Sequence, residues 1–188
     1  MARLGPWDPT TIEERIDRIE SLASIRQLAY RYAVALDSRN MDDLVALFAP
    51  DVRVGRDATG RDALKRWFTE LMSDPRVTVH FVGNHVVDFQ DAGHATGIVY
   101  CHDELERPAT GKWEKGKLQY WDSYVRLEGE WFFHRRGFHR WYIVDALEKP
   151  AAGAGTGEGK DPLTTHLVPD AYPSWSAFWA GLGEEGRR

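Results

Sequence analysis

Two side chains in this 188-residue sequence are well suited to acid–base chemistry. One is a histidine inside a β-branched and aromatic run, Thr78-Val79-His80-Phe81-Val82-Gly83-Asn84. The other is the aspartate of Leu36-Asp37-Ser38, near the end of a long apolar-periodic segment. Neutral imidazole is the natural base near pH 7. A carboxylate beside it fixes its tautomer and stabilises the imidazolium formed on proton uptake. Each residue also has a plainer reading. A strand histidine is commonly a satisfied core or surface residue, and Asp37 can simply mark a helix end. Only the two together make an oriented base.

The last long apolar segment supplies further candidates. Between Phe132 and Tyr142, Arg136 and Arg140 share one strand face with Phe138 between them, provided no bulge intervenes. An inward arginine binds a carboxylate or stabilises a developing oxyanion. An outward pair would instead belong to a salt-bridge ladder. Tyr32 lies five residues before Asp37, which is not a same-face helical step, so by spacing alone it reads as a core tyrosine.

Several chemistries find no support. There is no HExxH motif and no cysteine pair, and no metal is expected. Gly55 to Gly60 lacks the lysine and spacing of a phosphate loop, and no GxSxG is present. No cofactor is implied. The single cysteine, Cys101, excludes an internal disulfide. The net charge of −5 and the lack of a Lys/Arg block argue against nucleic acid. No apolar run reaches membrane-spanning length and residues 1–11 lack an apolar leader core, so a soluble cytoplasmic protein without membrane contact is expected.

The elements that must position these residues follow from periodicity. Thr10 or Thr11 caps a helix in which Ile12, Ile16, Ile19, Leu22, Ile25, Ala29, Tyr32 and Leu36 form one stripe, continuous or bent near residues 21–24. Asn40 caps a short second helix, and Val52-Arg53-Val54 reads as a short strand. Residues 55–60 read as a polar loop. A third helix carries Leu64, Trp67, Phe68, Leu71 and Met72 on one side. Segments 77–90, 95–106, 117–128 and 130–145 then read as strands, separated by turns at Asp91-Ala92-Gly93 and Glu128-Gly129 and by a longer loop over 108–116. Gly83 and Gly137 predict bulges or bends that curl the sheet. Residues 151–160 have linker composition, and the apolar tail beyond them must dock as a lid or on another subunit. The expectation is one domain over 1–150 followed by a tail over 151–188. Its class is α+β: N-terminal helices packed on a strongly curved, mostly antiparallel sheet, a cone-shaped barrel enclosing a pocket. Eight tryptophans suit the walls of a site for a flat apolar ligand.

In order and spacing these motifs resemble the SnoaL-like branch of the nuclear transport factor 2-like superfamily, over roughly residues 11–147. The likeness runs from Tyr32 and Leu36-Asp37-Ser38 through Ala49-Pro50-Asp51-Val52 and His80-Phe81-Val82-Gly83. It continues through Asp122-Ser123-Tyr124 and Gly129-Glu130-Trp131 to Gly137-Phe138-His139-Arg140-Trp141-Tyr142. It is nearest to dehydratase-type members such as bile-acid 7α-dehydratase and scytalone dehydratase. The resemblance implies that Asp37 and His80 are the catalytic pair and that Tyr32 and Arg140 accompany it. It places Arg136 near an arginine used by the hexachlorocyclohexane dehydrochlorinase. Leu36 and Arg56 stand where scytalone dehydratase has two tyrosines, which argues against scytalone as substrate. Tyr32 replaces the dehydrochlorinase lysine, which argues against halide elimination. The implied activity is that of a cofactor-independent lyase, with isomerase, cyclase or ligand-binding roles as alternatives on the same fold. The substrate would be an apolar polycycle such as a steroid or polyketide, bound by Arg136, Trp67, Phe81, Tyr120, Trp121 and Phe138. A homo-oligomer is expected, trimeric as in related dehydratases or else dimeric.

Overall fold

The computed structural model describes residues 6–146 and 173–182. The expected linker over 151–160 lies outside the described residues. Helix α1 (Ile12–Asp37) is continuous, with no break near Ser21. It starts in a capping box, in which Thr11 accepts from the Glu14 backbone and Glu14 reaches back to Thr11. Its apolar stripe is used unevenly. Ile25, Leu28, Ala29, Tyr32 and Leu36 are buried, whereas Ile12, Ile16 and Ile19 are exposed. Only the second half of the helix lies over the sheet core. The first half is tied by Asp17 to Arg126, 2.7 Å away near the far hairpin.

Ser38 caps α1, and Arg39 turns the chain in the left-handed region at φ 59°. Asn40 then caps α2 (Met41–Ala46) by accepting from the Asp43 backbone. The hairpin β1 (Arg53–Val54) and β2 (Ala58–Thr59) occupies what the sequence suggested was partly loop. Helix α3 (Arg61–Leu71) follows. It buries Leu64 and Phe68, while Trp67 and Leu71 stay exposed.

The main sheet has four antiparallel strands in the order β3 (Val77–Phe89), β4 (His94–Arg107), β5 (Lys112–Leu127) and β6 (Glu130–Asp145). The sheet is open, with β3 and β6 as its edges. The loop expected over 108–116 is much shorter, because one 3-10 turn over Pro108–Thr110 and Gly111 at φ 66° suffice to reverse the chain. Glu128 and Gly129 make the β5–β6 turn, both at positive φ.

Bulges set the phase of the sheet. On β3, Gly83 and Asn84 lie between Val82, opposite Cys101, and His85, opposite Val99. The inward residues are therefore Thr78, His80 and Val82 before the bulge, and His85, Val87 and Phe89 after it. On β6 the bulges fall at His134 and Trp141, flanking Gly137, which instead pairs regularly with Trp121. Gly137 earns its place through close contact with the His139 ring and the Trp121 carbonyl, each 3.3 Å from where its Cβ would lie. Between those bulges Arg136, Phe138 and Arg140 share the inner face.

The core lies between this face and the helices, centred on Tyr32, Phe48, Phe68, Tyr120 and Phe133. Helix α4 (Pro173–Gly181) packs on the end of α1 through the buried Trp175. Among the described residues no helix is long and apolar enough to cross a membrane.

Candidate functional site

Asp37 is the last residue of α1 and lies against the free edge of β3. Its Oδ2 accepts the His80 backbone N–H at 2.7 Å, a donor that an edge strand would otherwise leave unpaired. Its Oδ1 meets His80 Nδ1 at 2.6 Å and accepts from Thr78 Oγ1 at 2.9 Å. A carboxylate can only accept, so Nδ1 carries the proton and Nε2 keeps its lone pair. The His80 side chain is 7% exposed and the Asp37 side chain 22%. The pair is thus largely desolvated but not sealed.

Directly across β4 from His80 stands Asp103, which is 2% exposed. It is held bidentately by Arg140 from β6, Nη1 to Oδ1 at 3.2 Å and Nη2 to Oδ2 at 3.0 Å. This pair spans β5, and it can do so because residue 116 is glycine. A Cβ there would fall on Arg140 Nη1 and Asp103 Oδ1. Phe138 shares the inner face, lies beneath the Arg140 guanidinium at 4.9 Å and is 54% exposed, so the inner wall opens to solvent here.

Deeper in the sheet runs a second polar chain. Tyr124 donates to Asp122 Oδ2 at 2.9 Å, and Arg136 binds Asp122 through Nε at 2.9 Å and Nη2 at 2.7 Å. The Arg136 guanidinium lies 4.1 to 4.3 Å from the ring centres of Tyr120, Phe133 and Tyr32. Burial pulls the Arg136 pKa down, but the Asp122 charge overcomes this and leaves it raised. The one proton of Tyr124 goes to Asp122, so His85 Nε2, 3.0 Å away, must donate to the Tyr124 oxygen. His85 Nδ1 is buried without a partner. Burial accordingly lowers the His85 pKa to about 4 and keeps the ring neutral, although Asp122 pulls the other way.

The structure brings His80 and Asp37 into contact, with Arg140 on the same inner face. Tyr32 is packed among aromatic rings, and among the described residues no hydrogen bond joins it to His80 or Asp37. Burial pushes its hydroxyl up to about 12, with Arg136 opposing, so it stays protonated at neutral pH. Arg136 is engaged by Asp122 and enclosed, not free to grip a ligand. Tyr120 is fully buried and meets Phe138 edge-on at 6.1 Å.

Strand parity corrects two of the expected wall residues. Phe81 and Trp121 point away from His80, to the outer face of the sheet, where they are 72% and 52% exposed. Phe81, Tyr100, His102, Lys117, Trp141 and Tyr142 line a groove of about 590 Å³ on that outer face. Thr78, Arg39, Asp103 and Gly116 did not stand out in the sequence. The signal for Thr78 was its place two residues before His80, on the same face; the others depend on strand register or on the turn after α1.

The chain belongs to the SnoaL-like domain family, whose model matches residues 17–137. Uncharacterized proteins of Mycobacterium tuberculosis (strain H37Rv) and Mycobacterium bovis are each 29% identical over 138 residues, covering 67% of this chain and 86% of theirs. Among solved structures, a scytalone dehydratase candidate from Novosphingobium aromaticivorans superposes with a TM-score of 0.62 at 24% identity, covering 72% of this chain and 93% of that one. Hexachlorocyclohexane dehydrochlorinase LinA-type3 from Novosphingobium barchaimii gives 0.65 at 19% identity, covering 71% and 94%. These likenesses establish the α+β fold of the SnoaL and nuclear transport factor 2-like superfamily.

Proposed function

We propose that the protein is a cofactor-independent lyase of the dehydratase type, acting on a small apolar polycycle, steroid- or polyketide-like. The observation that carries this reading is the 2.6 Å contact between Asp37 and His80 Nδ1, which leaves Nε2 as a base. Its place in a fold shared with a dehydratase candidate and a dehydrochlorinase adds support. Nε2 takes a proton from carbon next to a carbonyl, and the C–H electron pair forms an enolate. Collapse of the enolate expels hydroxide, which takes the proton back from the imidazolium and leaves as water. Arg140 supplies positive charge near the developing oxyanion, and Phe138 offers an apolar surface. The reaction is tested by turnover of an identified substrate in His80→Ala and Asp37→Asn. Folded variants that keep full turnover would sink the reading. Product mass separates it from isomerisation or cyclisation, in which no water is lost.

The bond from the His80 backbone to Asp37 favours a second reading, a ligand-binding protein in which Asp37 chiefly ties α1 to the sheet edge. There, Asp37→Asn would lower the melting temperature while no substrate is turned over. We further propose that copies of the chain associate through the outer face as a trimer or dimer, since Phe81, Tyr100, Trp121 and Trp141 leave it apolar. Sedimentation at several concentrations tests this, and a monomer throughout would refute it.

A further inference from the structure

Arg39 occupies an expensive position. At φ 59° a residue with a side chain is disfavoured by roughly 1–2 kcal/mol, and here the residue is also only 2% exposed. A buried cation must have its donors satisfied. Nη1 donates to the Leu36 carbonyl at 2.8 Å and to Thr78 Oγ1 at 2.7 Å, and Nη2 donates to the Pro75 carbonyl at 2.7 Å. Nε is buried without a partner. Burial lowers the pKa to about 10, and the Asp37 charge pulls it back up.

The bond to Thr78 has a consequence for the base. A threonine hydroxyl has one proton. Because Arg39 donates to it, that proton is directed to Asp37 Oδ1. The same oxygen receives His80 Nδ1–H. A cation is thus relayed through one hydroxyl onto the atom that orients the imidazole. The face of the guanidinium is closed by α4: the Trp175 ring centre lies 5.0 Å away and that of Phe178 5.9 Å away. Ser174 Oγ donates to the Ser38 carbonyl at 2.8 Å and anchors α4 beside the turn.

We infer that Arg39 is a positioning residue for the Asp37–His80 base, acting through Thr78, and that α4 sets its influence by keeping its charge out of water. The inference rests on the proposed role of His80 as a base and adds the element that adjusts it. Its sign follows from charge. Arg39 draws on the Asp37 carboxylate, which weakens the hold of that carboxylate on a protonated His80. Loss of Arg39 therefore makes the imidazole a stronger base. Asp37 from α1, and Asp103 from β4 with Arg140 from β6, also face His80 and stay the same in every variant below.

The test is an NMR titration of the His80 ring in the full-length protein, beside thermal melting. Arg39→Met should raise the His80 midpoint by about one pH unit. Arg39→Lys should recover part of that shift. Thr78→Val and Trp175→Ala should move the midpoint in the same direction by less. A purely structural role predicts lower melting temperatures with the midpoint moved by less than about 0.2 unit, and that result overturns the inference. Should Arg39→Met not fold, Thr78→Val and Trp175→Ala decide by the same criterion. The readout is independent of turnover. If His80→Ala remains fully active while the midpoints shift, the lyase reading falls and the relay stands. If His80→Ala is inactive and the midpoints do not move, the reverse holds.

Discussion

His80 and His85 stand five residues apart on one strand and both face the helices, yet only one is equipped as a base. The partner of His80 is a carboxylate, which orders its protons and welcomes a positive ring. His85 is bonded to a tyrosine hydroxyl whose own proton is committed to Asp122, and its second nitrogen has nothing to hold a proton. The Asp103–Arg140 pair opposite the first histidine opens beside the exposed ring of Phe138, while the second is closed by Tyr124 and the Arg136 cage. Residue type and orientation alone do not equip a histidine to act as a base; the hydrogen bond on the far side of the ring decides it. Each neighbourhood also depends on a glycine that leaves room beneath it, Gly116 near His80 and Gly97 near His85.

Removing His80 should have the largest consequence. His80→Ala is expected to cut turnover by about 10²–10⁴-fold, with a small change in melting temperature. Unchanged turnover in a folded variant would show the two histidines to be alike. In the sealed network the expected loss is of stability. Asp122→Ala leaves Arg136 buried and uncompensated, at a cost of about 3–5 kcal/mol in denaturant unfolding. Turnover per folded molecule should be preserved if the deep network is structural.

Acid should act through His85. In the unfolded chain its ring takes a proton near pH 6.5, but in the folded chain only near pH 4. The unfolded state therefore binds more protons between those values, and stability falls as pH drops through that window. The loss attributable to His85 is about 3 kcal/mol. It is measured as the difference in pH-dependent unfolding between the native chain and His85→Gln, and equal slopes would refute it.

The two glycines give a smaller and finer contrast. Gly97→Ala meets the Val86 carbonyl and the Tyr124 ring, 2.8 and 3.1 Å from the added carbon, and should cost about 1–3 kcal/mol of stability. Gly116→Ala instead displaces the Asp103–Arg140 pair. It should reduce turnover more than Gly97→Ala does at comparable stability.

Much of this was legible in the sequence. The 3.6-residue period placed Asp37 at the end of α1 and the β-rich run placed His80 on a strand, but the family resemblance, not the spacing, singled them out as a pair. The alternation of the last strand put Arg136 and Arg140 on one face. What could not be read is what depends on register between strands. Asp103 and Asp122 become the partners of Arg140 and Arg136 only once β4, β5 and β6 are aligned, and local spacing does not contain that alignment. Gly116 looked like part of a loop because no feature of its neighbours reveals a salt bridge passing over it. Phe81 and Trp121 were drawn toward the ligand by their chemistry, but parity with their neighbours sends them outward. Arg39 was hidden because a charged residue after a helix ordinarily points to water.

The two-residue irregularity at Gly83-Asn84 lets odd-numbered and even-numbered side chains of one strand look in the same direction. In effect β3 is two reading frames spliced together. Deleting either of those residues would restore strict alternation and leave both histidines facing inward, because one residue would then separate Val82 from His85 just as Tyr100 separates Cys101 from Val99 on β4. The extra residue acts locally: it bends the strand between the two histidines, while the ladder on either side keeps regular pairing.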